Sequence, residues 1–587
     1  MKHLLLFSIG PVQSFISQAR KTHDLYAGSL LLSDLIKSAI NFVGKDNLIF
    51  PSFGEGMPNR FLSWVPEEVT DCQNFGEKVQ EIVKNEWKKI AKDCTKDLNI
   101  IPPGFNEQIN LHLEVFWVIG KYSGNYAETV FGLEKELAAI KNLRPFQQFN
   151  WQNEYGITGE RGRKCNLDGQ RNVQFYRRAA GKQFNEEYAP LYSTPKGVSI
   201  EQNLSAATLA PGEGLSAVSF IKRRYKYKQT SNFYSTAEIA LMEVLKILDR
   251  KNPDVRTGIN LIREVNPQLY YEENVKEGIL EKYLLESEVA NDAAQSLRGF
   301  SNEIRHAANS AGLTMSKYYA VLTFDGDNMG KWLAGENLKD ITQLQEFQDL
   351  FARCLGEFAK EARELLNNGK GQTVYAGGDD FLGFVNINHL LPTMRDLRKL
   401  FRDKVDTPLQ HLKSSEISFS AGISVVHYKE PLTIALQEAQ KAQALAKNID
   451  GKNAFALSVI KGSGESHYAV FPFGDNEINV TTVKLLADAL LHEDFSNSFI
   501  KNLRSEFERL SDFKDDPKTF ISVFECELRR FLNRAANKRI RREDGLEKSK
   551  VLAEFLSKLI EIRKTENFFQ MMHIVDLLQR EMNNVQN

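Results

Sequence analysis

Two acidic stretches in this 587-residue chain have the composition that chemistry on phosphate groups requires. Asp379-Asp380 follow Gly377-Gly378, and the four lie between the apolar runs Val374-Tyr375-Ala376 and Phe381-Leu382-Gly383-Phe384-Val385. The pattern predicts a β-hairpin with an acidic tip, because β-formers flank it and paired glycines allow the torsions of a tight turn. Adjacent carboxylates on a turn repel unless a cation or donors neutralise them, so a metal and a third acid are expected nearby. Asp325, which ends the apolar run Tyr318 to Phe324 and opens Asp325-Gly326-Asp327-Asn328, is that acid. Three carboxylates at one sheet edge suit two Mg²⁺ ions (or Mn²⁺) shared with a substrate's phosphates. One ion would activate an attacking hydroxyl, and both would stabilise charge on an α-phosphate as pyrophosphate leaves. Gly377 and Gly378 let a nucleotide approach the backbone. Lys447 and Lys452 are expected to balance triphosphate charge, with Asp327 and Asn328 as further nucleotide contacts.

The elements that would position these groups follow in the order β-α-β-β-α-β. A strand at Lys317 to Phe324 leads into the Asp325 loop, a helix at Leu344 to Leu366, the acidic hairpin, a helix near Leu390 to Leu400 and a strand at Ile417 to Val426. A helix Pro431 to Lys447 and a strand Ala454 to Val459 complete the unit. That order is the ferredoxin-like split βαβ of polymerase palms, and it sets the first strand beside the hairpin so that Asp325 meets Asp379 and Asp380. A similar pattern opens the chain: a buried strand at residues 4 to 9, helical spacing from Val12 to Ile40, a helix near Glu77 to Asp93 and a strand Leu111 to Ile119. Within it, Gly28-Ser29 suggests a helix start whose backbone N–H groups would face phosphate. His23-Asp24 is not expected to make a phosphohydrolase, which would need several further His and Asp ligands from a helical domain.

The expected fold class is therefore α+β: two ferredoxin-like palm domains with helical domains between and after them. The first palm spans 1–149 and lacks catalytic acids, a linker and helical region spans 150–315, the second palm 316–470 and a C-terminal helical domain 471–587. Ser235-Thr236-Ala237-Glu238 matches a capping box for a helix Ile239 to Leu248. Basic clusters at Arg161 to Lys164, Arg177-Arg178, Lys222 to Arg224 and Arg529 to Arg542 suggest solvated faces or contacts with nucleic acid or a partner.

Composition narrows the class. Hydrophobic residues make up 42% and charged residues 26%, ordinary for a globular protein, and the net charge of −1 gives no general attraction to nucleic acid. Five scattered cysteines without a C-x-x-C pair point to a reducing compartment. The apolar run Leu4 to Ile9 is too short for a secretion signal, and no stretch reaches the roughly 18 apolar residues of a membrane span. A cytoplasmic location is expected.

Together, Tyr375 to Asp380 and Asp325 to Gly330 resemble the second palm of the large polymerase/cyclase subunit of type III CRISPR effector complexes, in their Cmr (type III-B) branch. Gly10 to Ile16, Asp24 to Ser29, Pro58 to Phe61 and Ser235 to Glu238 are similar to the same family's landmarks. GGDEF diguanylate cyclases are more distantly similar, sharing the Asp325 loop, the hairpin, Ser420 to Ile423 and Ala446-Lys447. The resemblance implies two facing palms holding two ATP molecules, and synthesis of an adenylate second messenger switched on by target RNA paired to a guide. It implies that Asp325, Asp379, Asp380 and the Gly326 carbonyl hold the metals, that Gly28 and Ser29 help hold the second ligand, and that other Cmr subunits are partners. Many relatives begin with an HD nuclease, and this chain is expected to lack that activity. Many also carry a zinc knuckle, but Cys165 is followed by Asp168 where a second thiolate would stand, so no zinc is expected there. Some relatives join AMP from ATP to S-adenosylmethionine instead of linking adenylates, and Gly28 and its neighbours do not decide between these acceptors. A scaffold with a dead palm is the alternative of another class, disfavoured by the three intact acids.

Overall fold

The computed structural model describes residues 2–143, 162–177, 198–199, 208–230, 232–287, 289–462, 464–491, 517–535, 553 and 565–583. Its N-terminal unit contains β1 (His3–Gly10), α1 (Gln13–Ser17), α2 (Thr22–Val43), β2 (Leu48–Phe50), β3 (Arg60–Trp64), α3 (Cys72–Thr95), α4 (Phe105–His112), β4 (Glu114–Lys121) and α5 (Tyr126–Asn142). The sheet order is β2-β3-β1-β4, and β1 pairs antiparallel with both neighbours. Every residue of β1 from Leu4 to Ile9 is buried, because α2 and α3 cover one face and α5 the other. Leu111 and His112 end α4 and are not the start of the strand that their alternation suggested.

The helix start expected at Gly28-Ser29 is not there. A single helix, α2, begins at Thr22, where the Asp24 carboxylate accepts the Lys21 and Arg20 N–H groups at 3.2 and 3.3 Å. Gly28 and Ser29 lie buried in its second turn, and a Cβ on Gly28 would sit 3.1 Å from Lys222 Cδ. Their N–H groups therefore belong to the helix ladder and do not face a phosphate.

A small sheet of β5 (Phe175–Tyr176), β6 (Val198–Ser199) and β7 (Gly214–Leu215) leads into α6 (Ala217–Arg224). The basic cluster on α6 is no solvated face. Arg223 is 0% exposed, donating to both Asp24 oxygens at 2.9 and 2.8 Å and to Glu213 at 2.7 Å. Lys222, 1% exposed, donates to the Phe15 carbonyl at 2.6 Å and to that of Gln18. Of the remaining basic positions, Arg161, Arg178 and the stretch from Lys538 to Arg542 lie outside the described residues.

Helices α7 (Thr236–Lys251), α8 (Arg256–Val265), α9 (Leu280–Glu286) and α10 (Ala294–Ser310) follow. The capping box forms at α7, with Glu238 N–H donating to Ser235 Oγ at 3.3 Å and Ser235 N–H to Glu238 Oε2 at 2.9 Å. Asn386 ties α7 to the second sheet by donating to the Ile239 and Ala240 carbonyls at 2.8 and 2.9 Å.

The second palm comprises β8 (Tyr318–Gly326), α11 (Met329–Leu333), α12 (Leu344–Asn367), β9 (Gly371–Ala376), β10 (Asp380–Val385), α13 (Leu390–Phe401), β11 (Phe419–His427), α14 (Leu432–Lys447), β12 (Ala454–Ile460) and β13 (Ser466–Pro472). The sheet order is β13-β12-β11-β8-β10-β9, in which the β11–β12 pair is parallel. Phe347, Phe351, Leu355, Phe358, Ala362 and Leu366 form the buried stripe of α12, at the spacing of one helix face. Alanines line the buried face of α14, and a Cβ on Gly422 would stand 2.2 Å from the Ala439 carbonyl oxygen, so only glycine permits this helix-on-sheet contact. After the sheet come α15 (Ile478–Leu491), α16 (Pro517–Ala535) and α17 (Thr565–Glu581). The last is tied to β13 by a reciprocal hydrogen-bond pair between Asn567 and Val470, at 2.7 and 2.9 Å.

The two palms dock through polar and aromatic contacts. Tyr126 Oη donates to Gln348 Oε1 at 2.6 Å, Ser52 Oγ to the Ala352 carbonyl at 3.0 Å, and Phe50 stacks on Phe351 with ring centroids 6.3 Å apart.

Candidate active site

Strand register brings the acids together. Asp325, one residue from the end of β8, is the cross-strand partner of Asp380, the first residue of β10. Gly326 N–H donates to the Asp379 carbonyl and Gly377 N–H to the Asp380 carbonyl, both at 2.9 Å, which closes the hairpin against β8. Gly378 has φ +115°, a conformation that favours glycine. At Gly377 space is the constraint, since a Cβ there would fall 1.8 Å from Tyr375 Oη.

Electrostatics show a site short of positive charge. Burial and the nearby Asp325 push the Asp379 carboxyl up to about 6. Burial, Asp379 and Asp325 push Asp380 up to about 8. Lys447 Nζ, at the end of α14, donates to Asp325 Oδ2 and is the cation in direct contact with the set. Among the described residues no three acidic, His or Cys side chains form a preformed metal cage. That suits Mg²⁺, which is commonly held by one or two carboxylates and completed by substrate phosphates and water. The donor set, carboxylates with the adjoining Gly326 carbonyl, has the hard-oxygen character such an ion prefers, and raised carboxyl pKa values are what an added cation would reverse.

Asp327 does not join its neighbours. It is 2% exposed and accepts hydrogen bonds from Ser418 Oγ at 2.7 Å, Ser420 Oγ at 2.8 Å and the Asn453 N–H at 3.0 Å. Its oxygens are committed to fastening the loop to β11, so the expected nucleotide contact is corrected to an anchor. Asn328 takes a left-handed conformation (φ 56°) that turns the chain into α11, and its Oδ1 accepts from Lys452 Nζ at 2.7 Å. Lys452 therefore lies over the loop after β8 while Lys447 reaches the acid itself.

Asp325 and Asp380 open onto a cleft of about 370 Å³ between the palms. Gln13, Ile16 and Ser17 of the first palm form one wall, and Gln440, Gln443 and Lys447 of α14 another. The phenol of Tyr375 lies on the floor, and burial together with the three acids keeps it protonated. Sequence reasoning passed over the two glutamines, although their spacing to Lys447 places all three on one helical face. A second slot, of about 420 Å³, is lined by Phe50, Pro51, Phe53, Leu355, Gly356, Arg363 and, from the hairpin, Gly377.

Asp168, which stands where a second thiolate of a zinc knuckle would, is a hydrogen-bonded carboxylate. Asp168 accepts from the Gln170 and Arg171 N–H groups, both at 2.9 Å, and from Ser216 and Ser219 Oγ at 2.6 and 3.2 Å.

Comparison with known proteins agrees with this architecture. Residues 318–456 match the family model of the Cas10/Cmr2 second palm domain, and residues 4–55 match that of the N-terminal part of the CRISPR-associated protein Cmr2. The Cmr subunit Cmr2 of Pyrococcus furiosus is 26% identical over an alignment covering 79% of this chain and 62% of that protein. The start of the chain and its second palm thus resemble those of the Cas10/Cmr2 family. The chain spans 62% of the length of that Cmr2 relative. Two solved structures share the fold, both of a type III-B Cmr-beta complex. The complex bound to cognate target RNA matches with TM-score 0.62 at 13% identity, covering 92% of this chain and 79% of the other. The apo complex matches with TM-score 0.62 at 14% identity, covering 91% and 77%. The segment that matches the Cas10/Cmr2 second palm, bounded by β8 and β12, is the one that carries all three acids.

Proposed function

We propose that this chain is the large subunit of an RNA-guided type III-B complex and a Mg²⁺-dependent nucleotidyltransferase that makes an adenylate second messenger from ATP. The observation that carries the reading is the convergence of Asp325, Asp379 and Asp380 on one corner of the second palm, where Asp325 and Asp380 line a cleft shared with the first. A bound divalent ion would supply Lewis-acid stabilisation of the α-phosphate and of the departing pyrophosphate. The protein supplies placement. The slot beside Gly377, lined by Phe53 and Leu355, would take the base and direct the phosphates toward the hairpin. Lys447 and Lys452 flank the loop after β8 and take up negative charge as the phosphates arrive. The acceptor hydroxyl enters from the cleft, between Gln13 and Gln443. Its oxygen bonds to the α-phosphorus, the bond to the β-phosphate bridge breaks, pyrophosphate leaves and the hydroxyl proton passes to solvent. With ATP as acceptor the product is an oligoadenylate that can cyclise.

Other Cmr subunits, guide RNA and target RNA are the proposed partners, in keeping with the complexes in which proteins of the same fold are found. No described helix is long and apolar enough to cross a membrane. The test is the complex assembled with guide and target RNA and given labelled ATP, with and without S-adenosylmethionine, with products read by mass. Oligoadenylate from ATP alone is expected. A product that requires S-adenosylmethionine would replace the oligoadenylate reading with an AMP conjugate, and absence of any product would leave a scaffold subunit.

A further inference from the structure

The loop that brings Lys452 to the site has an uncommon backbone. Gly451, Lys452 and Asn453 are three successive residues in the left-handed region, with φ +81°, +54° and +47°. Glycine takes this conformation freely, but for Lys452 and Asn453 it is strained and persists only where the surroundings over-determine it. Those surroundings converge on Asn453, whose four polar groups are all engaged. Its N–H donates to Asp327 Oδ2 at 3.0 Å, and its carbonyl accepts from the Phe473 N–H at 2.9 Å. Its Oδ1 accepts from Arg398 Nε at 2.9 Å, and its Nδ2 donates to Glu416 Oε2 at 3.2 Å. Arg398, on α13, also donates through Nη2 to Glu416 Oε1, so one guanidinium and one carboxylate grip the carboxamide together.

We infer that Arg398 and Asn453 are positioning residues for nucleotidyl transfer: they clamp the loop 451–453 against the loop after β8 and so set where the Lys452 charge meets the phosphates. The ligand rests on the nucleotidyltransferase reading; the clamp does not. The Arg398 side chain is 3% exposed, and its guanidinium carbon stands 5.8 Å from the ring centroids of both Phe419 and Phe473. Its Nη1 is buried with no hydrogen-bond partner among the described residues. Contact with two rings offsets part of the cost of burying that charge, yet an unsatisfied donor works against stability and an apolar side chain would fill the space more favourably. What an apolar side chain cannot do is hold Asn453 and Glu416 at once, which takes a planar fork. The effect reaches the site through Lys452. Its flexible stem leaves the backbone next to the clamped residue and delivers Nζ to Asn328 Oδ1 at 2.7 Å, one residue from Asp327, the other half of the clamp. A backbone relaxed out of the left-handed region would aim the lysine elsewhere, and a misplaced charge does little for a phosphate.

The test is a double-mutant cycle on equilibrium binding of Mg²⁺–ATP to the full chain, with amide hydrogen exchange of residues 451–453 as the second readout. Asn453→Gly keeps the left-handed backbone and its two backbone hydrogen bonds and deletes only the carboxamide; Arg398→Met removes the fork. Each is expected to speed exchange in 451–453 and to weaken Mg²⁺–ATP binding roughly 10-fold, no more than Lys452→Ala does by itself. Added to Lys452→Ala, neither should weaken binding further, because the same interaction has already been lost. Exchange unchanged in both variants would overturn the clamp. Losses that add to that of Lys452→Ala would overturn its action through the lysine, since a merely structural loosening is felt with or without Lys452. A parent chain that protects 451–453 through Arg398 yet binds no Mg²⁺–ATP would refute the proposed activity alone.

Discussion

Asp327 separates a ligand from an anchor, and the two roles predict opposite results for the same substitution. Its carboxylate takes two seryl hydroxyls and one backbone N–H at 2.7, 2.8 and 3.0 Å while 2% exposed. A hydrogen bond to a charged acceptor is worth about 1.5–3 kcal/mol, and a buried donor left without a partner carries a comparable penalty. In Asp327→Ala the hydroxyls rotate to other acceptors but the Asn453 N–H cannot, so the loss should be about 3–5 kcal/mol. Asp327→Asn keeps an oxygen for Ser418 and the Asn453 N–H and turns its NH₂ toward Ser420 Oγ, which limits the loss to about 1 kcal/mol. Asp325→Asn should do the reverse, leaving stability near that of the parent while removing Mg²⁺-dependent ATP binding. Chemical denaturation and equilibrium binding of Mg²⁺–ATP on the three variants give both readouts. An Asp327→Asn protein with unchanged stability that no longer binds Mg²⁺–ATP would show that Asp327 is a ligand and refute the anchor.

Three further outcomes follow from the geometry. Arg223→Met leaves Asp24 and Glu213 buried without their cation and should cost about 3–5 kcal/mol, with partial recovery on adding Asp24→Asn and Glu213→Gln; denaturation midpoints within error of the parent would contradict this. Gly377→Ala must displace Tyr375 or the hairpin, so turnover should fall at least roughly 100-fold with the circular dichroism spectrum unchanged, and a fully active variant would show that the tip has slack. Burial lowers His23 to about 4 and His112 to about 3, so the unfolded chain takes up protons that the folded chain refuses as pH falls from about 6.5. The contribution of these two histidines should therefore decline below pH 6.5, opposed by the raised Asp379 and Asp380 carboxyls, so His23→Gln with His112→Phe should gain melting temperature relative to the parent as pH falls from 6.5 to 4.5; an unchanged difference would place the titration elsewhere.

Much of the second palm was legible in the sequence because its signals are local. The hairpin, the strand before Asp325, the helix ending at Lys447 and the capping box at Ser235 are each set by neighbours within a few residues. Where the expectations failed, partners distant in the chain had decided the outcome. Gly28-Ser29 looked like a helix start, but the cap is Asp24, and Lys222 packs against Gly28 from almost two hundred positions away. The run Lys222 to Arg224 looked solvated until its first two side chains were found inserted into the first palm.

The type and spacing of Gly377 to Asp380 and Asp325 were enough to mark a cluster of oxygen donors, since adjacent carboxylates beside paired glycines need no distant residue to specify oxygen ligands for a cation near a backbone surface. Only the tertiary structure decided which acid of Asp325-Gly326-Asp327 faces the cleft. Successive side chains on a strand point to opposite faces, but residues 325 and 327 are two apart, and the chain leaves β8 between them to turn toward α11. Where the turned residue lands depends on Ser418, Ser420 and Asn453, more than ninety positions downstream, and no pattern within the loop encodes a hydrogen bond to a strand that has yet to pair.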